Sequence, residues 1–184
     1  SRTMASIAEA KRQGARLRVG PELELCGYSC EDHFREIDTY IHSAQSLAYI
    51  IKSNITNNII CDIGCPIMHN GVRYNCRIYC LNNKILLIRP KTSLANDGNY
   101  HETRFFASWK GNINQLTNHI LCDELREVTG QISVPFGIGI IQTEETKIAS
   151  EICEELWVTN SPHIQLSLLG VEIFTNGSGS HHEL

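Results

Sequence analysis

Apolar and polar positions change period several times along the chain, and the changes divide it into short elements. From Ile37 to Lys52 apolar residues recur at Ile41, Ala44, Leu47, Ala48 and Ile51, three or four apart. That period predicts an amphipathic helix whose other face is solvated. Ser6 to Gly14 separates Ile7 and Ala8 from Lys11 and Arg12 and predicts a shorter helix stopped by glycine. Ala15–Val19 predicts a short strand ended by Gly20-Pro21. Ile59–Gly64, Arg73–Leu81 and Lys84–Ile88 predict strands, and Asn82-Asn83 between the last two tolerates the positive φ of a tight hairpin. Beyond them the pattern predicts a helix at Asp123–Thr129, strands at Phe136–Gln142 and Lys147–Ile152, a helix from Ser161 through Leu169 and a buried strand at Gly170–Thr175. Helices alternating with strands and hairpins favour an α/β layered domain over an all-β one.

Three polar residues fall where a predicted strand gives way to a loop: Glu22 after Pro21, Lys91 after Pro90, and Cys153 after Lys147–Ile152, with Glu154 and Glu155 behind it. Layered α/β folds display reactive groups at such strand ends, so residues far apart in sequence can meet there. A free thiol, with a pKa of about 8.5, needs a base to become a nucleophile, and a carboxylate whose affinity for protons is raised by burial can serve. A lysine can then stabilise the oxyanion of a tetrahedral intermediate. Taken singly, Glu22 reads as a loop charge, Lys91 as a surface cation and Cys153 as a buried thiol. Together they support a chemical reading. Thr92–Tyr100, rich in Asn and Gly, is too long for a minimal connection and reads as a functional loop closed by Glu102–Phe106.

Composition narrows the classes. With 184 residues, 42% hydrophobic and 20% charged, the chain fits one globular domain. A net charge of -4 with sixteen scattered Lys and Arg gives no reason to expect a nucleic-acid or anionic-membrane partner. No apolar run approaches the ~20 residues of a membrane span, and the amphipathic, basic Ser1–Arg18 lacks the apolar centre of a secretory signal, which points to the cytoplasm. Three of the cysteine pairs, Cys26 with Cys30, Cys61 with Cys65 and Cys76 with Cys80, share a zinc-like spacing of four. Their strand and proline contexts argue against a metal knuckle, so no metal is expected.

Several blocks then carry a resemblance. Gly20–Tyr28 (Gly-Pro-Glu-Leu-Glu-Leu-Cys-Gly-Tyr), Arg89–Tyr100, Glu102–Phe106, Ser150–Trp157 (Ser-Glu-Ile-Cys-Glu-Glu-Leu-Trp) and Thr175–His182 (Thr-Asn-Gly-Ser-Gly-Ser-His-His) resemble the amidase domain of eukaryotic glutamine-dependent NAD synthetases, a branch of the nitrilase or carbon-nitrogen hydrolase superfamily. The likeness implies a nitrilase-like α-β-β-α sandwich. It implies Cys153 as nucleophile, Glu22 as general base and then acid, and Lys91 with the backbone N–H after Cys153 as oxyanion donors. Glu102 matches a second carboxylate held near the lysine. Glu154 and Ser180 match contacts to the amino-acid end of L-glutamine, and Tyr100 and Trp157 match pocket-lining positions. No cofactor is implied in this region; ATP, magnesium and deamido-NAD belong to a separate synthetase domain of the full chain, which receives the ammonia. A homo-oligomer is also implied. Because family domains open with a strand before the first helix and continue past His182, residues 1–184 are expected to form a partial glutaminase domain, incomplete at both ends and without its synthetase domain. The other readings are a free-standing nitrilase-type amidase acting on another small amide and a truncated, inactive interaction module.

Overall fold

The computed structural model describes residues 1–113 and 115–180. In chain order its elements are α1 (Arg2–Arg12), β1 (Leu17–Val19), α2 (Ile37–Lys52), β2 (Ile60–His69), β3 (Val72–Leu81), β4 (Lys84–Pro90), β5 (Thr117–Ile120), α3 (Asp123–Thr129), β6 (Ser133–Phe136), β7 (Ile141–Gln142), β8 (Lys147–Ile152), α4 (Pro162–Leu168) and β9 (Ile173–Gly177), with 3-10 turns at Tyr28–Arg35, Glu102–Arg104 and Cys153–Leu156. The strands form a six-stranded sheet in the order β1-β2-β3-β4-β6-β5 and a three-stranded sheet in the order β7-β8-β9.

Alternation along β2 and β3 sets the layers. Successive strand residues point to opposite faces, so Cys61, Ile63 and Cys65 of β2 and Cys76, Ile78 and Cys80 of β3 all face one way. There they pack with Ile7 of α1, Leu47, Ile50 and Ile51 of α2 and Leu125 of α3 in the main core. The cysteine spacing of four is thus twice the strand period. Cys61 lies opposite Cys80 and Cys65 opposite Cys76, and burial pushes these thiols up, that of Cys61 to about 11. Asp62, Gly64, Asn75, Arg77 and Tyr79 alternate with them and face the second sheet, whose outer side is covered by α4 through Ala149, Leu166 and Val171. The layers run helix, sheet, sheet, helix.

The interface between the sheets is polar. Arg77 donates from Nε to Asp62 Oδ1 at 2.7 Å, both side chains fully buried. Asp62 Oδ2 accepts from Thr175 Oγ1 of β9 at 3.0 Å. One strand over, Glu155 accepts from Arg89 Nη1 at 2.7 and 2.5 Å, from Thr92 N at 2.5 Å and from Ile152 N at 2.6 Å. Asp62 and Glu155 therefore each tie a strand of one sheet to a strand or turn of the other.

Sequence and structure differ in places for identifiable reasons. Helix α1 starts at Arg2, because Ser1 Oγ accepts from Met4 N and caps it. In α2 the boundaries match, but Ile41 is exposed while Tyr40 and Ser43 are buried, since Tyr40 reaches the Phe34 carbonyl at 2.8 Å. Strand β2 runs on to His69 through Pro66, which pairs only with β3 because β1 ends opposite Asp62. Phe136–Gln142 is not one strand: β6 ends at Phe136 in the large sheet, and Gly137 and Gly139 carry the chain across to β7 in the small one. The strand predicted as buried at Gly170–Thr175 begins at Ile173 and forms the edge of the small sheet in the order β7-β8-β9, with Ile173 and Phe174 exposed. The Asn82-Asn83 hairpin is as predicted, both residues having positive φ. His181-His182 lies outside the described residues.

Two stability effects follow. A Cβ at Gly64 would stand 2.5 Å from both the Pro21 carbonyl and the Leu23 nitrogen, so Gly64→Ala should destabilise by about 1–3 kcal/mol; an unchanged melting temperature would mean the turn does not rest on β2. Glu155→Ala should cost more, about 3–5 kcal/mol, because it strands the buried Arg89. Denaturant melts of the two variants test that order.

Candidate active site

Glu22 is placed by its backbone. After β1, Gly20 N bonds to the Asp62 carbonyl at 2.9 Å and Leu25 N to the Gly64 carbonyl at 3.2 Å, so the turn between them lies flat on β2. The Arg77 guanidinium donates to the Gly20 and Pro21 carbonyls at 2.7 and 2.8 Å. Leu23 packs with Phe34 and Phe106 in a small separate core. Its side chain anchors the turn on one side while the Glu22 carboxylate is turned into the protein, 2% exposed.

Lys91 follows the last residue of β4, its N–H bonded to the Asn75 carbonyl at 2.8 Å. Its fully buried Nζ donates to Glu22 Oε1 and to Glu102 Oε2, each at 2.7 Å. Glu102 also accepts from Ala95 N at 2.6 Å. The Asn75 amide nitrogen donates to Glu22 Oε1 at 2.7 Å and to Glu102 Oε1 at 2.8 Å, and Gly179 N donates to Glu22 Oε2 at 3.0 Å. Burial alone would push the Lys91 ammonium down, but the two carboxylates hold it above the ordinary lysine value. Burial pushes the Glu102 carboxyl up, against the pull of Lys91.

Cys153 is the first residue after β8 and has φ of 44°. A non-glycine residue seldom adopts that conformation, and such strain persists only where surrounding bonds enforce it. Here Cys153 N donates to Asn176 Oδ1 at 3.1 Å and Asn176 Nδ2 donates back to the Cys153 carbonyl at 3.3 Å. The thiol, 6% exposed, lies 3.3 Å from the hydroxyls of both Ser178 and Ser180. The same loop reaches Glu22, whose N–H bonds to the Ser178 carbonyl at 3.3 Å. So Glu22, Lys91 and Glu102 touch directly, and one three-residue segment, Ser178–Ser180, joins them to Cys153.

A cavity of about 340 Å³ opens beside this cluster, lined by Tyr28, Glu31, Phe34, Tyr100, Glu102 and Gly179 among others. Tyr100 meets Tyr28 edge to face at 5.9 Å. The Tyr28 hydroxyl is buried without a hydrogen-bond partner among the described residues, and burial, then Glu102 and Glu22, push its titration up, keeping it neutral. Glu154 is half-buried and Trp157 is 76% exposed, and neither is among the residues lining this cavity. Among the described residues no group of three or more His, Cys, Asp or Glu could hold a metal ion, and no helix is long and apolar enough to cross a membrane.

Sequence reasoning missed Asn75, Asn176, Ser178 and Tyr28. Asn75 gives no signal, because a polar residue alternating with apolar ones along a strand reads as facing water. Asn176, Ser178 and Tyr28 do lie in the blocks that carry the family likeness.

The sequence model described as carbon-nitrogen hydrolase matches residues 1–184. The glutamine-dependent NAD(+) synthetase of Bos taurus is 55% identical over 183 residues, which are 100% of this chain and 26% of the relative. That of Saccharomyces cerevisiae is 55% identical over 184 residues, again 100% and 26%. The chain thus spans about a quarter of the length of the curated relatives it matches. Among solved structures, a glutamine-dependent NAD(+) synthetase from Cytophaga hutchinsonii superposes with a TM-score of 0.81 at 26% identity, over 98% of this chain and 27% of that one. A match along the whole chain, on a helix-sheet-sheet-helix fold with a buried lysine between carboxylates, places this chain in the carbon-nitrogen hydrolase family.

Proposed function

We propose that residues 1–184 are the glutaminase part of a longer glutamine-dependent NAD(+) synthetase, cleaving the side-chain amide of L-glutamine and passing on the ammonia. The observation that carries this reading is the fully buried Lys91 ammonium, 2.7 Å from both Glu22 and Glu102, joined through Ser178–Ser180 to a thiol on a strained turn. The names of the relatives support the substrate.

In this reading Glu22 takes the Cys153 proton as sulfur attacks the amide carbon. Lys91 and the backbone N–H after Cys153 hold the oxyanion. Collapse of the tetrahedral intermediate breaks the C–N bond, Glu22 returns the proton to the leaving nitrogen, and ammonia departs from a thioester. Glu22 then takes a proton from water, hydroxide adds to the thioester carbon, and glutamate leaves as the thiol is restored. Glu102 orients Lys91. Ser180 and Glu154 hold the amino-acid end of glutamine, with Tyr100 as a wall; Trp157, 76% exposed and not among the cavity's lining residues, is left out of the pocket. Every group in these steps comes from this chain; ATP, magnesium and deamido-NAD are used by the remainder of the enzyme, which amidates deamido-NAD. Eight free thiols fit a reducing compartment, the cytoplasm. Exposed Ile164, Leu168 and Leu169 on and after α4 suit a homo-oligomer contact.

In the full-length protein, Cys153→Ala should abolish NAD formation from glutamine and leave formation from free ammonia intact; retention of the glutamine-driven reaction would end the proposal. Lys91→Ala should lower the glutamine-driven rate about 100- to 1,000-fold, the usual effect of losing one oxyanion donor, again sparing the ammonia route. A loss of both routes in equal measure would instead make Lys91 a folding residue.

A further inference from the structure

Asn75 occupies β3 one residue before Cys76, which stands opposite Pro90 at the end of β4. Its side chain therefore enters the space between the sheets at the level of Lys91. It is fully buried. The amide nitrogen carries two protons, and each goes to a different carboxylate, Glu22 Oε1 at 2.7 Å and Glu102 Oε1 at 2.8 Å. The amide oxygen has no partner among the described residues. Turned over, the amide would set that oxygen against two anions, so the donors alone fix its orientation.

The charge count shows what the amide does. Two carboxylates share one ammonium, which balances only one of them. Backbone N–H groups help each carboxylate, Ala95 for Glu102 and Gly179 for Glu22. Among the described residues, Cys153, Tyr28 and Tyr100 stand nearby, and Glu31, His101 and Arg104 line the adjoining cavity; the guanidinium of Arg104 is half-exposed and donates to Asp32 at 2.9 Å, so the cation bonded to the pair is Lys91. Without further donors, taking up a proton is the easiest way for the pair to relieve its repulsion. A protonated Glu22 could not accept a proton from Cys153.

We propose that Asn75 is a positioning residue that keeps Glu22 and Glu102 ionised together, by giving one N–H of its amide to each, and so keeps Glu22 ready to act as base. In its kinetic form this rests on the glutaminase reading; as a statement about the thiol it does not.

The test uses the full-length protein with Asn75→Leu, which removes both donors, and Asn75→Asp, which keeps the shape and adds an anion. Iodoacetamide alkylation of Cys153, followed by mass spectrometry of its peptide, is measured from about pH 5 to about pH 9 beside ammonia release from glutamine. The acid limb of both profiles should move up by about one pH unit in Asn75→Leu and further in Asn75→Asp. At the acid end the rates should fall about tenfold, with a smaller loss at the alkaline end. Coincident limbs, or a loss equal at every pH, would overturn the proposal. Should Asn75→Leu fail to fold, Asn75→Asp and the single-donor Asn75→Ser carry the same comparison, Asn75→Ser with a smaller shift. Failure of all three to fold would make Asn75 a folding element and overturn the proposal too. If the wild-type protein releases no ammonia from glutamine while the alkylation limb shifts as described, the glutaminase reading falls and the role of Asn75 stands.

Discussion

Lys91 carries its ammonium to a place without solvent, and a buried cation persists only where anions and hydrogen bonds replace its water. Glu22 and Glu102 supply the anions at 2.7 Å, but two carboxylates around one lysine leave a negative charge that must be met in turn. Asn75, Ala95 and Gly179 meet it with N–H groups from three separate parts of the chain. The site is therefore a closed set of dependencies. The turn after β1, strand β3, the end of β4, the 3-10 turn at Glu102 and the loop after β9 each contribute one member. Displacing any of them leaves a buried charge or polar group unpaired, at a cost of about 1–3 kcal/mol for a neutral one and more for an ion. Rigidity of this kind suits the proposed reaction, whose charge would develop at a fixed point, since donors already in place need no reorganisation.

The same logic extends into the interface between the sheets. Arg77 with Asp62 and Arg89 with Glu155 are fully buried pairs, and two such pairs in place of apolar residues add little net stability. Arg89 even leaves Nε and Nη2 without partners among the described residues. What the pairs provide is register. Arg77 reaches two carbonyls of the Glu22 turn and, through Asp62, the strand that leads to Ser178. Glu155 bonds Ile152, next to Cys153, and Thr92, next to Lys91. A one-residue slip of either sheet would break both sets, so the pairs transmit strand alignment directly to Cys153 and Lys91. The hydrophobic work is done on the other face, where α1, α2 and α3 cover the cysteines and isoleucines of β2 and β3.

This division explains what could be read from the sequence. Local rules sufficed where the chain makes its own decision: the boundaries of α2, the Asn82-Asn83 hairpin and the positions of Lys91 and Cys153 directly after strands. They failed where a second sheet decides. Asp62, Asn75 and Arg77 alternate with apolar neighbours as solvent-facing residues do, and nothing within a strand distinguishes a polar face turned to water from one turned to a polar sheet. Gly170–Thr175 shows the converse: its β-branched residues read as interior, yet the strand they lead into lies at an edge. The crossing at Gly137 and Gly139 was hidden because Ile138 and Ile140 continue an apolar run across a change of sheet.

The strained turn at Cys153 is the point where the buried pairs between the sheets meet the loop after β9. A positive φ at a residue with a Cβ costs free energy, of order 1–3 kcal/mol, and the chain would relax it if either flank were free. Neither is. On one side Ile152 N is held by Glu155 at 2.6 Å, itself fixed by Arg89 and Thr92. On the other the Asn176 side chain bonds both the N–H and the carbonyl of Cys153. Because Asn176 sits on β9 two residues before Ser178, the bonds that enforce the strain also aim the Ser178–Ser180 loop, which contacts the thiol and the Glu22 carboxylate. The conformation of Cys153 and the placement of Glu22 are therefore not independent features. One edge strand sets both, and it is positioned in turn by the Thr175 bond to Asp62.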